Sequence, residues 1–529
     1  MHFRIISVRR GKATHRYAQI VERYTENGKA RNKVIRHLGP VKNGSDEERY
    51  RRMFALENQR DHVARADIRD LDLLSPREYG IIYASRILCH DLGMDQVFYA
   101  LDQYYDIIFL AVISRLIYPS SDYDLLRLSE KIEYPVQDLK KDRIYAALDR
   151  LIEKKDDIEL GMFHALHPDT TVVHYDLISS YFEGKEDNDL VLFDYSRDKK
   201  RGKEQIVIGL VMANGIPIHH QVFPGNTVDP KTLESTISVL KDRFHVKNVI
   251  FIADRIFGRT RSLDILDHNQ YITAAYRWDQ PYRNVLMNTD FSGGSTVNDL
   301  VIKSVSINLD DVIDEDSTED QRKLAEKRRY IAVYNRNREE LDLKDLNNKL
   351  VTVKKKMLEN RDQKELKKSL GKLKSLVKFS ANGSTLNVKR IHVLKKLAGR
   401  FLIVTNTALT ESEVVSAYKE QWQIERSFRT VKSFLEIRPI YHRKSDRIKA
   451  HVFLCVLSLL IARLFEKATE DKMTMSVISD MLSELKAVAI RIPEGEITLR
   501  TESENARNIL GILKIPYPGK IVNDTLTVQ

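Results

Sequence analysis

The chain of 529 residues is long enough for several domains that each bury a hydrophobic core. Its 86 Lys and Arg residues outnumber its 75 Asp and Glu residues, and the resulting net charge of +11 favours a polyanionic partner. Two cysteines, Cys89 and Cys455, exclude a disulfide framework and a cysteine-based zinc site. The longest apolar run, 452–462, is shorter than the ~20 residues that span a bilayer. With no signal-peptide core at the N-terminus, we expect a cytoplasmic protein without membrane association.

Residues 1–165 are predicted to form two modules. Residues 1–44 alternate in strand fashion on either side of Asn27-Gly28, which is a strong β-hairpin signal. This small basic β unit either contacts DNA or serves as a packing module. Residues 45–165 carry charged and amphipathic helical patterns, which we interpret as a helical bundle. In a basic protein such a bundle is a candidate DNA-end-binding domain.

Residues 166–278 change to a pattern of alternating strands and helices. A short apolar strand ends in Asp176, a hairpin turns at Asn214-Gly215, and a helix then precedes an apolar strand that ends in Asp254. A further helix and strand follow. This element order predicts an α/β fold with an RNase H-like mixed sheet flanked by helices, in which the first and fourth strands are adjacent.

Residues 279–390 break this pattern and are predicted to be a large insertion. Apolar side chains step by three and four through a highly charged region, which indicates an antiparallel helical hairpin with a coiled-coil-like seam: Leu343, Leu346, Leu350, Val353, Met357, Leu366, Leu370, Leu373, Leu376 and Val377. Its Lys-rich outer face could follow a phosphate backbone or could be a solvated charged face. Residues 391–470 resume the first domain, and residues 471–529 form a mixed α/β tail domain.

The segment 410–442 is predicted to be one long helix. Thr410 and Glu413 have the spacing of a capping box at its N-terminus, and Pro439 marks its end. Residues seven apart return to almost the same direction on a helix, so one stripe carries chemically diverse side chains: Tyr418, Glu425 and Lys432, with Gln421, Trp422, Phe428 and Arg429 beside them. A carboxylate among cations and aromatic rings suits a metal site on a nucleic-acid backbone.

Three carboxylates could share that site. Asp176 and Asp254 each end an apolar strand, and adjacent strands would bring them together. Like charges at close range demand a proton or a cation between them. Oxygen ligands favour Mg²⁺ or Mn²⁺ over zinc, and two such ions would promote in-line displacement at a phosphodiester. Alternatively, the two Asp residues are helix or turn caps and Glu425 is an ion-pair partner.

These residues resemble the DDE transposases of bacterial insertion sequences that carry the YREK signature, Y-(2)-R-(3)-E-(6)-K. Tyr418, Glu425 and Lys432 match the signature in register, whereas Gln421 occupies the Arg position. Further segments resemble the same family from about residue 170 to residue 465: DYSRDKKRGKEQIVIGLVM, FPGNTVD, IADR around Asp254, and RPIYHRKSDRIKAHVF.

The resemblance implies an RNase H-like catalytic domain with an insertion before its Glu-bearing helix. It implies a magnesium-dependent endonuclease and strand-transfer enzyme, with Mn²⁺ able to substitute, that cleaves the element's ends and joins them to target DNA. Asp176, Asp254 and Glu425 would bind two ions, and Tyr418 and Lys432, with Gln421 and Arg429 on the same stripe, would contact phosphates. The implied partners are double-stranded DNA, as terminal inverted repeats and target, and a second copy in a homodimer. The implied location is the bacterial nucleoid.

Other candidates have weaker support. In related enzymes a DNA hairpin intermediate is aided by an aromatic ring that stacks on a flipped base, which Trp278 or Trp422 could supply, with core packing as the alternative. A basic run could bind DNA phosphate or be a solvated loop: Arg197, Lys199, Lys200, Arg201 and Lys203. His219 and His220 are neighbours on a strand, so we expect their rings to point to opposite faces.

Three functional hypotheses follow. The first is an active transposase. The second is an RNase H-like nuclease without strand transfer, and the family motifs weigh against it. The third is a catalytically inactive DNA-end-binding repressor, and the presence of all three carboxylates weighs against it.

Overall fold

A computed structural model describes most of the chain. The described residues are 2–10, 13–26, 29–41, 46–47, 50–51, 54, 71–181, 189–193, 204–227, 229–246, 250–253, 263–314, 316–359, 362–380, 383–421, 424, 427, 430, 435, 437, 440, 442–492 and 495–524. The chain divides into two compact units, one of residues 1–151 with 461–529 and one of residues 152–460.

The first unit contains two antiparallel sheets. The N-terminal sheet has the order β1-β2-β3, with β1 (His2–Arg10), β2 (Ala13–Glu26) and β3 (Lys29–Val41). The second sheet joins two segments that are distant in sequence, because β18 pairs with β4, β5 and β19, and β19 pairs with β20. Its strands are β4 (Asp72–Leu73), β5 (Arg77–Glu78), β18 (Lys486–Ile492), β19 (Gly495–Arg500) and β20 (Ile521–Asp524). Residues 471–529 therefore share a sheet with residues 72–78.

The helices of the first unit lie in its middle and C-terminal segments. They are α1 (Gly80–Asp91), α2 (Met94–Phe98), α3 (Tyr105–Ile117), α4 (Leu125–Ser129), α5 (Lys141–Glu153), α16 (Met475–Ser483) and α17 (Glu504–Ile512). Helix α3 is the most apolar, with ten consecutive buried residues from Ile107 to Leu116.

The second unit is built on a ten-stranded mixed sheet. Its order is β12-β13-β14-β17-β11-β10-β6-β8-β7, and β9 pairs with β8. The strands are β6 (Val172–Tyr181), β7 (Leu192–Phe193), β8 (Glu204–Ala213), β9 (Ile216–Pro224), β10 (Ile250–Ala253), β11 (Gln270–Ala274), β12 (Ser295–Val297), β13 (Leu300–Val305), β14 (Arg329–Asn335) and β17 (Arg400–Thr405).

Five of these strands form the predicted RNase H-like core. The order β9-β8-β6-β10-β11 places the first strand of the domain, β6, beside the fourth, β10. Strands β8 and β9 continue from β6 in antiparallel fashion, whereas β10 is parallel to β6 and β11 is parallel to β10. The predicted fold class and the predicted adjacency of the first and fourth strands are confirmed.

The sheet extends beyond this core into the segment that was predicted to break the α/β pattern. Strand β17 pairs antiparallel with both β11 and β14, and β13 pairs with β14. Residues 295–335 thus add strands to the same sheet. Four consecutive buried residues of β14, Tyr330–Val333, show why this strand is interior to the sheet: both of its faces are covered.

Helices flank the sheet of the second unit. They are α6 (Lys155–Leu166), α7 (Asp229–Asp242), α8 (Leu263–Leu266), α9 (Gln280–Asn288), α10 (Glu319–Ala325), α14 (Glu411–Lys419) and α15 (Ser445–Ala468). On one face, Val173, Tyr175 and Leu177 of β6 join a large buried cluster. On the other face, Ile250 and Ile252 of β10 join a second cluster with residues of α14.

Residues 336–396 form what we call the lysine-rich subdomain. It comprises α11 (Arg336–Glu359), α12 (Gln363–Leu370), a 3₁₀ segment (Gly371–Leu376), the hairpin β15 (Val377–Ser380) and β16 (Gly383–Leu386), and α13 (Val388–Lys396). Gly371 has φ +51°, a backbone conformation that glycine adopts readily, and it ends α12. The subdomain has its own core, built from Leu346, Val353, Leu366, Leu370, Leu376 and Val377.

Two segments are long and apolar enough to cross a bilayer by length and composition. They are Met94–Ile117 and Ser445–Ala468, and 94% of the most apolar window of the second is buried inside the protein. Such burial is typical of a core helix in a folded domain. Phe453 of α15 stacks on His220 of β9 with ring centroids 5.1 Å apart, so this helix packs against the sheet.

Candidate active site

Asp176 lies on β6, near the middle of the RNase H-like core. It pairs with Leu210 of β8, and its half-buried carboxylate accepts a hydrogen bond from the backbone N–H of Leu177 at 2.7 Å. Side chains alternate along a strand, and Tyr175 and Leu177 join the large cluster on one face. Asp176 therefore projects from the opposite face, which it shares with His174.

Strand β10 brings the second predicted carboxylate position to the same region of the sheet. Ile252 pairs with His174, and Ala253 pairs with Tyr175 in the parallel ladder. The described part of β10 ends at Ala253. Asp254 is the next residue in the sequence and lies outside the described residues.

Helix α14 covers the sheet face that carries His174 and Asp176. Its start is as predicted: Thr410 Oγ1 accepts a hydrogen bond from the Glu413 backbone N–H at 3.3 Å, and Glu413 accepts one from the Thr410 N–H at 2.8 Å. Val414 and Val415 are buried against β10 in the second cluster. The capping box and this apolar pair fix both the start and the packing face of the helix.

Tyr418 sits at the end of α14 on this face. Its half-buried ring packs on the second cluster, with its centroid 6.1 Å from that of Phe401. The preceding residue, Ala417, is hydrogen-bonded through its backbone to the ring of His174. Burial lowers the pKa of His174 to about 4, although the Ala417 contact opposes this shift. His174 thus ties β6 to α14 beside Asp176 and Tyr418.

The sequence analysis missed His174. The signal that could have identified it is its place two residues before Asp176 in TVVHYDL, because residues i and i+2 share a face of a strand. Since burial keeps its ring neutral near pH 7, His174 adds no positive charge beside the Asp176 carboxylate. The oxygen donor of Asp176 and the neutral ring next to it fit a hard divalent cation.

The prediction of one long helix over 410–442 is wrong. Helix α14 ends at Lys419, where the Glu420 N–H is shared between the carbonyls of Ser416 and Ala417 at 3.2 Å each. Gln421 N–H then donates to Tyr418 O at 3.1 Å, an i to i−3 contact that tightens the backbone. The i to i−4 ladder of an α-helix is therefore interrupted between Tyr418 and Gln421.

Beyond this break, the described residues return to helical conformation. Ile424 and Ser427 are helical and fully buried, and Thr430 is in a π-helical turn in which its carbonyl accepts a hydrogen bond from Leu435 N–H at 2.9 Å. Single π-turns inside helices are frequent at functional sites. Gln421 is buried, and its Oε1 atom has no hydrogen-bond partner among the described residues.

Several predicted site residues lie outside the described part of the chain. Besides Asp254, they are Glu425, Trp422, Arg429 and Lys432 of the signature segment and Arg197, Lys199, Lys200 and Arg201 of the basic run. Trp278 is described and half-buried. It packs on the large cluster, and the Arg390 guanidinium lies 3.9 Å from its ring centroid, so one face of the indole is covered by a cation.

A buried carboxylate network lies elsewhere in this unit. Glu159 on α6 accepts hydrogen bonds from Nδ1 of His219 and Nδ1 of His220, both at 2.8 Å, and it also pairs with Lys155 and Arg243. The two rings have different neighbours, since His219 packs against Phe244 and His220 stacks on Phe453, and the His220 backbone N–H also donates to Glu159 at 3.2 Å. A β-bulge in the pairing of β8 with β9, between Val211 and Met212, shifts the strand just before His219.

Comparison with known proteins identifies the family of the chain. The chain matches the family described as Transposase DDE domain over residues 183–461, which is more than half of its length. It belongs to the DDE transposases. Residues 3–64 of this transposase match the N-terminal domain of the IS1634 family transposases. The predicted family is confirmed.

Individual relatives are distant. Over 148 residues the transposase is 30% identical to the transposase for insertion sequence element IS231E of Bacillus thuringiensis subsp. finitimus. That match covers 27% of this chain and only 29% of the relative's length. A cryo-EM structure of the piggyBac transposase synaptic complex with hairpin DNA aligns with a TM-score of 0.35 and 10% identity, over 73% of this chain and 70% of that chain.

Proposed function

We propose that this DDE transposase cleaves the ends of an insertion sequence and joins them to target DNA at a site formed by Asp176, Asp254 and Glu425. The main support for the proposal is the register of the parallel strands β6 and β10. Ala253 of β10 pairs with the residue that precedes Asp176. If β10 continues by one residue, Asp254 comes level with Asp176 and, by alternation from Ile252, projects from the same face.

Each of the proposed site residues would have a distinct role. The three carboxylates would hold two divalent cations, Mg²⁺ in the first instance and Mn²⁺ as a substitute, because all three offer hard oxygen donors. Such ions, when bound, offset charge on a phosphodiester and lower the pKa of an attacking hydroxyl. Tyr418, Gln421, Arg429 and Lys432 would position the cleaved strand by contacts to its phosphates. His174 would hold Tyr418 in place through Ala417.

The partners in this proposal are double-stranded DNA, as terminal inverted repeats and target, and a second copy of the chain. Two ends are cut and joined together in such a reaction, which favours a homodimer with one end for each protomer. A DNA substrate places the protein at the bacterial nucleoid.

The test is cleavage of a labelled duplex that carries the element's own terminal sequence, with Mg²⁺ or with EDTA. Wild type, Asp176→Asn and Glu425→Gln are compared with Glu420→Gln, a matched control because Glu420 is exposed and lies just after α14. We expect nicking at the element boundary in wild type and in Glu420→Gln, no cleavage in the two site variants, and retained DNA binding in all four.

Other outcomes would overturn the proposal. Binding without cleavage by wild type in either metal would indicate a DNA-end-binding repressor. Cleavage without joining to a target duplex would indicate a nuclease. Cleavage by Asp176→Asn or Glu425→Gln at the wild-type rate would remove that carboxylate from the site.

A further inference from the structure

The net charge of the protein is concentrated in the lysine-rich subdomain. Residues 336–396 contain eighteen Lys and Arg residues against seven Asp and Glu residues, a net charge of +11, and the whole chain has the same net charge of +11. The rest of the chain is therefore neutral overall. A charge excess confined to one small folded part indicates a local polyanion-binding surface rather than a general property of the protein.

Four of the seven acidic residues of the subdomain lie in the first half of α11. Asp342 and Asp345 of α11 form i,i+4 ion pairs with Arg338 at 3.0 Å and with Lys349, respectively. Glu339 accepts a hydrogen bond from Tyr334 of the adjacent strand. The first half of α11 is thus a charge-balanced helix of the kind that is simply solvated.

The remainder of the subdomain differs, because its lysines far outnumber its three acidic residues, Glu359, Asp362 and Glu365. Eleven of these lysines are exposed. Among the described residues, a carboxylate lies within 4 Å of one of the eleven, Lys355, which is 3.8 Å from Glu359. The eleven are Lys354, Lys355, Lys364, Lys367, Lys368, Lys372, Lys374, Lys378, Lys389, Lys395 and Lys396. A purely solvated face would intersperse both signs to avoid this self-repulsion, so an anionic ligand is favoured.

The subdomain is fixed to the sheet that carries Asp176. Leu397, just after α13, is buried in the large cluster, and Val393 packs against that cluster. Arg390 stacks on Trp278, and Gly399 N–H donates to Asp342 at 3.2 Å immediately before β17 begins. A polyanion held by the lysines would therefore have a fixed position relative to the candidate active site.

The side-chain type indicates what is recognised. Lysine is a compact point charge suited to phosphate, whereas the planar, rigid fork of arginine and the amides of asparagine and glutamine are better suited to bidentate contacts with bases. Arg390, an arginine on this part of the surface, is already engaged with Trp278. Leu346 and Val353 of α11 are buried in the subdomain's own core, whereas Leu341, Val351 and Leu358 of the same helix are exposed, so an anionic lipid surface has to be distinguished from DNA by experiment.

We propose that the lysine-rich subdomain binds the phosphate backbone of duplex DNA without sequence preference, and so holds target or flanking DNA beside the site. This inference rests on the proposed transposase function, because that function requires DNA of no fixed sequence at the site in addition to the element's ends.

The test is the salt dependence of binding by the full chain to a random-sequence duplex. The variant Lys364→Gln, Lys368→Gln, Lys372→Gln removes three exposed charges at intervals of four residues. We expect the slope of log K against log [NaCl] to flatten by about 0.9 for each phosphate that is no longer neutralised, or roughly 2 to 3 in total. The same three positions changed to Arg should keep the wild-type slope.

The matched control is Lys241→Gln, Lys323→Gln, Lys327→Gln, three exposed lysines of the same unit outside the subdomain, and it should keep the wild-type slope. An unchanged slope in the subdomain variant would overturn the inference, as would weaker binding that is confined to the terminal-repeat duplex. A larger decrease in affinity for duplex RNA or for anionic phospholipid vesicles than for DNA would also overturn it. Cleavage of the terminal duplex, measured on the same proteins, separates these outcomes from failure of the proposed function.

Discussion

The ring of His174 on β6 is hydrogen-bonded to the backbone of Ala417 on α14. His174 lies two residues before Asp176, and Ala417 lies immediately before Tyr418. One contact thus connects the strand of the first predicted carboxylate with the helix that begins the YREK signature. The ring is buried, and its Nε2 atom has no hydrogen-bond partner in the described part of the chain. Burial favours the neutral form of this ring, whereas the Ala417 contact favours its protonated form.

Stability should decrease as the pH falls because of this ring. Burial lowers the pKa of His174 from 6.5 to about 4. The unfolded chain therefore takes up the proton first as the pH falls, so the stabilisation is fully present above pH 6.5 and is lost as the pH decreases to about 4. His220, with its pKa also lowered to about 4 by burial, acts in the same direction.

We expect the free energy of unfolding in urea to fall by up to about 3 kcal/mol for His174 alone across this window. His174→Phe should show a smaller decline than wild type between pH 7 and pH 4.5, whereas His392→Phe, at an exposed position on α13, should follow wild type. Identical declines in wild type and His174→Phe would contradict the prediction.

Replacing Glu159 should destabilise the second unit strongly. Glu159→Gln keeps the side-chain shape but leaves Lys155, Arg243 and two histidines without their buried counter-charge, so we expect a decrease of roughly 3–5 kcal/mol in the free energy of unfolding. Asp156→Asn is the control, because Asp156 pairs with the same Arg243 but is 70% exposed; its effect should be below about 1 kcal/mol. Equal effects of the two substitutions would show that burial of the carboxylate does not determine how far the free energy of unfolding decreases.

The hydroxyl of Tyr418 should matter for catalysis more than for folding. In Tyr418→Phe the ring still packs against Phe401, so we expect the unfolding transition to stay within about 0.5 kcal/mol of wild type. Removal of a hydrogen bond to a charged phosphate should slow terminal cleavage by roughly tenfold or more. Tyr334→Phe, which removes a hydroxyl bonded to Glu339, is the control and should cleave normally. Normal cleavage by Tyr418→Phe would remove its phosphate role.

Gln421 offers a test of the departure from the YREK signature. Its Oε1 atom is buried without a hydrogen-bond partner among the described residues, so Gln421→Leu should leave the free energy of unfolding unchanged or raise it by about 1 kcal/mol. If Gln421 contacts phosphate as the signature implies, the same variant should bind the terminal duplex more weakly, with an unchanged salt dependence because glutamine carries no charge. Unaltered binding would show that the Arg position of the signature makes no phosphate contact here.

The core strands could be predicted because each is a short apolar run with clear ends. Asn214-Gly215 falls at the predicted turn, and the order of the elements determined which strands are neighbours, whereas β6 continues to Tyr181, beyond the end predicted at Asp176. The N-terminus of α14 was equally clear, since the Thr410 and Glu413 capping box is a local signal. The structure of a segment could be predicted from the sequence where residues close in sequence determine it.

The remaining features depend on contacts between distant residues. Strands β12 and β13 are short and lie in a polar segment, and the partner that buries β14 is β17, about 70 residues later. The end of α14 at Lys419 has no Gly or Pro to mark it. His219 and His220 both bond to Glu159, which lies about 60 residues earlier, and a β-bulge precedes them in β9. The pattern of residue types along one strand encodes neither feature.

The position of β17 has a consequence for the order of events during synthesis. Thr405, Val404 and Ile403 pair with β11 on one side and with β14 on the other, so this strand is inserted between two others. Until the ribosome has delivered residue 405, the edge of β11 is unpaired, and an unpaired edge is a template for association with other chains. Helix α14 follows directly, so it docks only after the lysine-rich subdomain has emerged. A nascent transposase therefore completes the subdomain proposed to hold DNA before the helix that begins the candidate site.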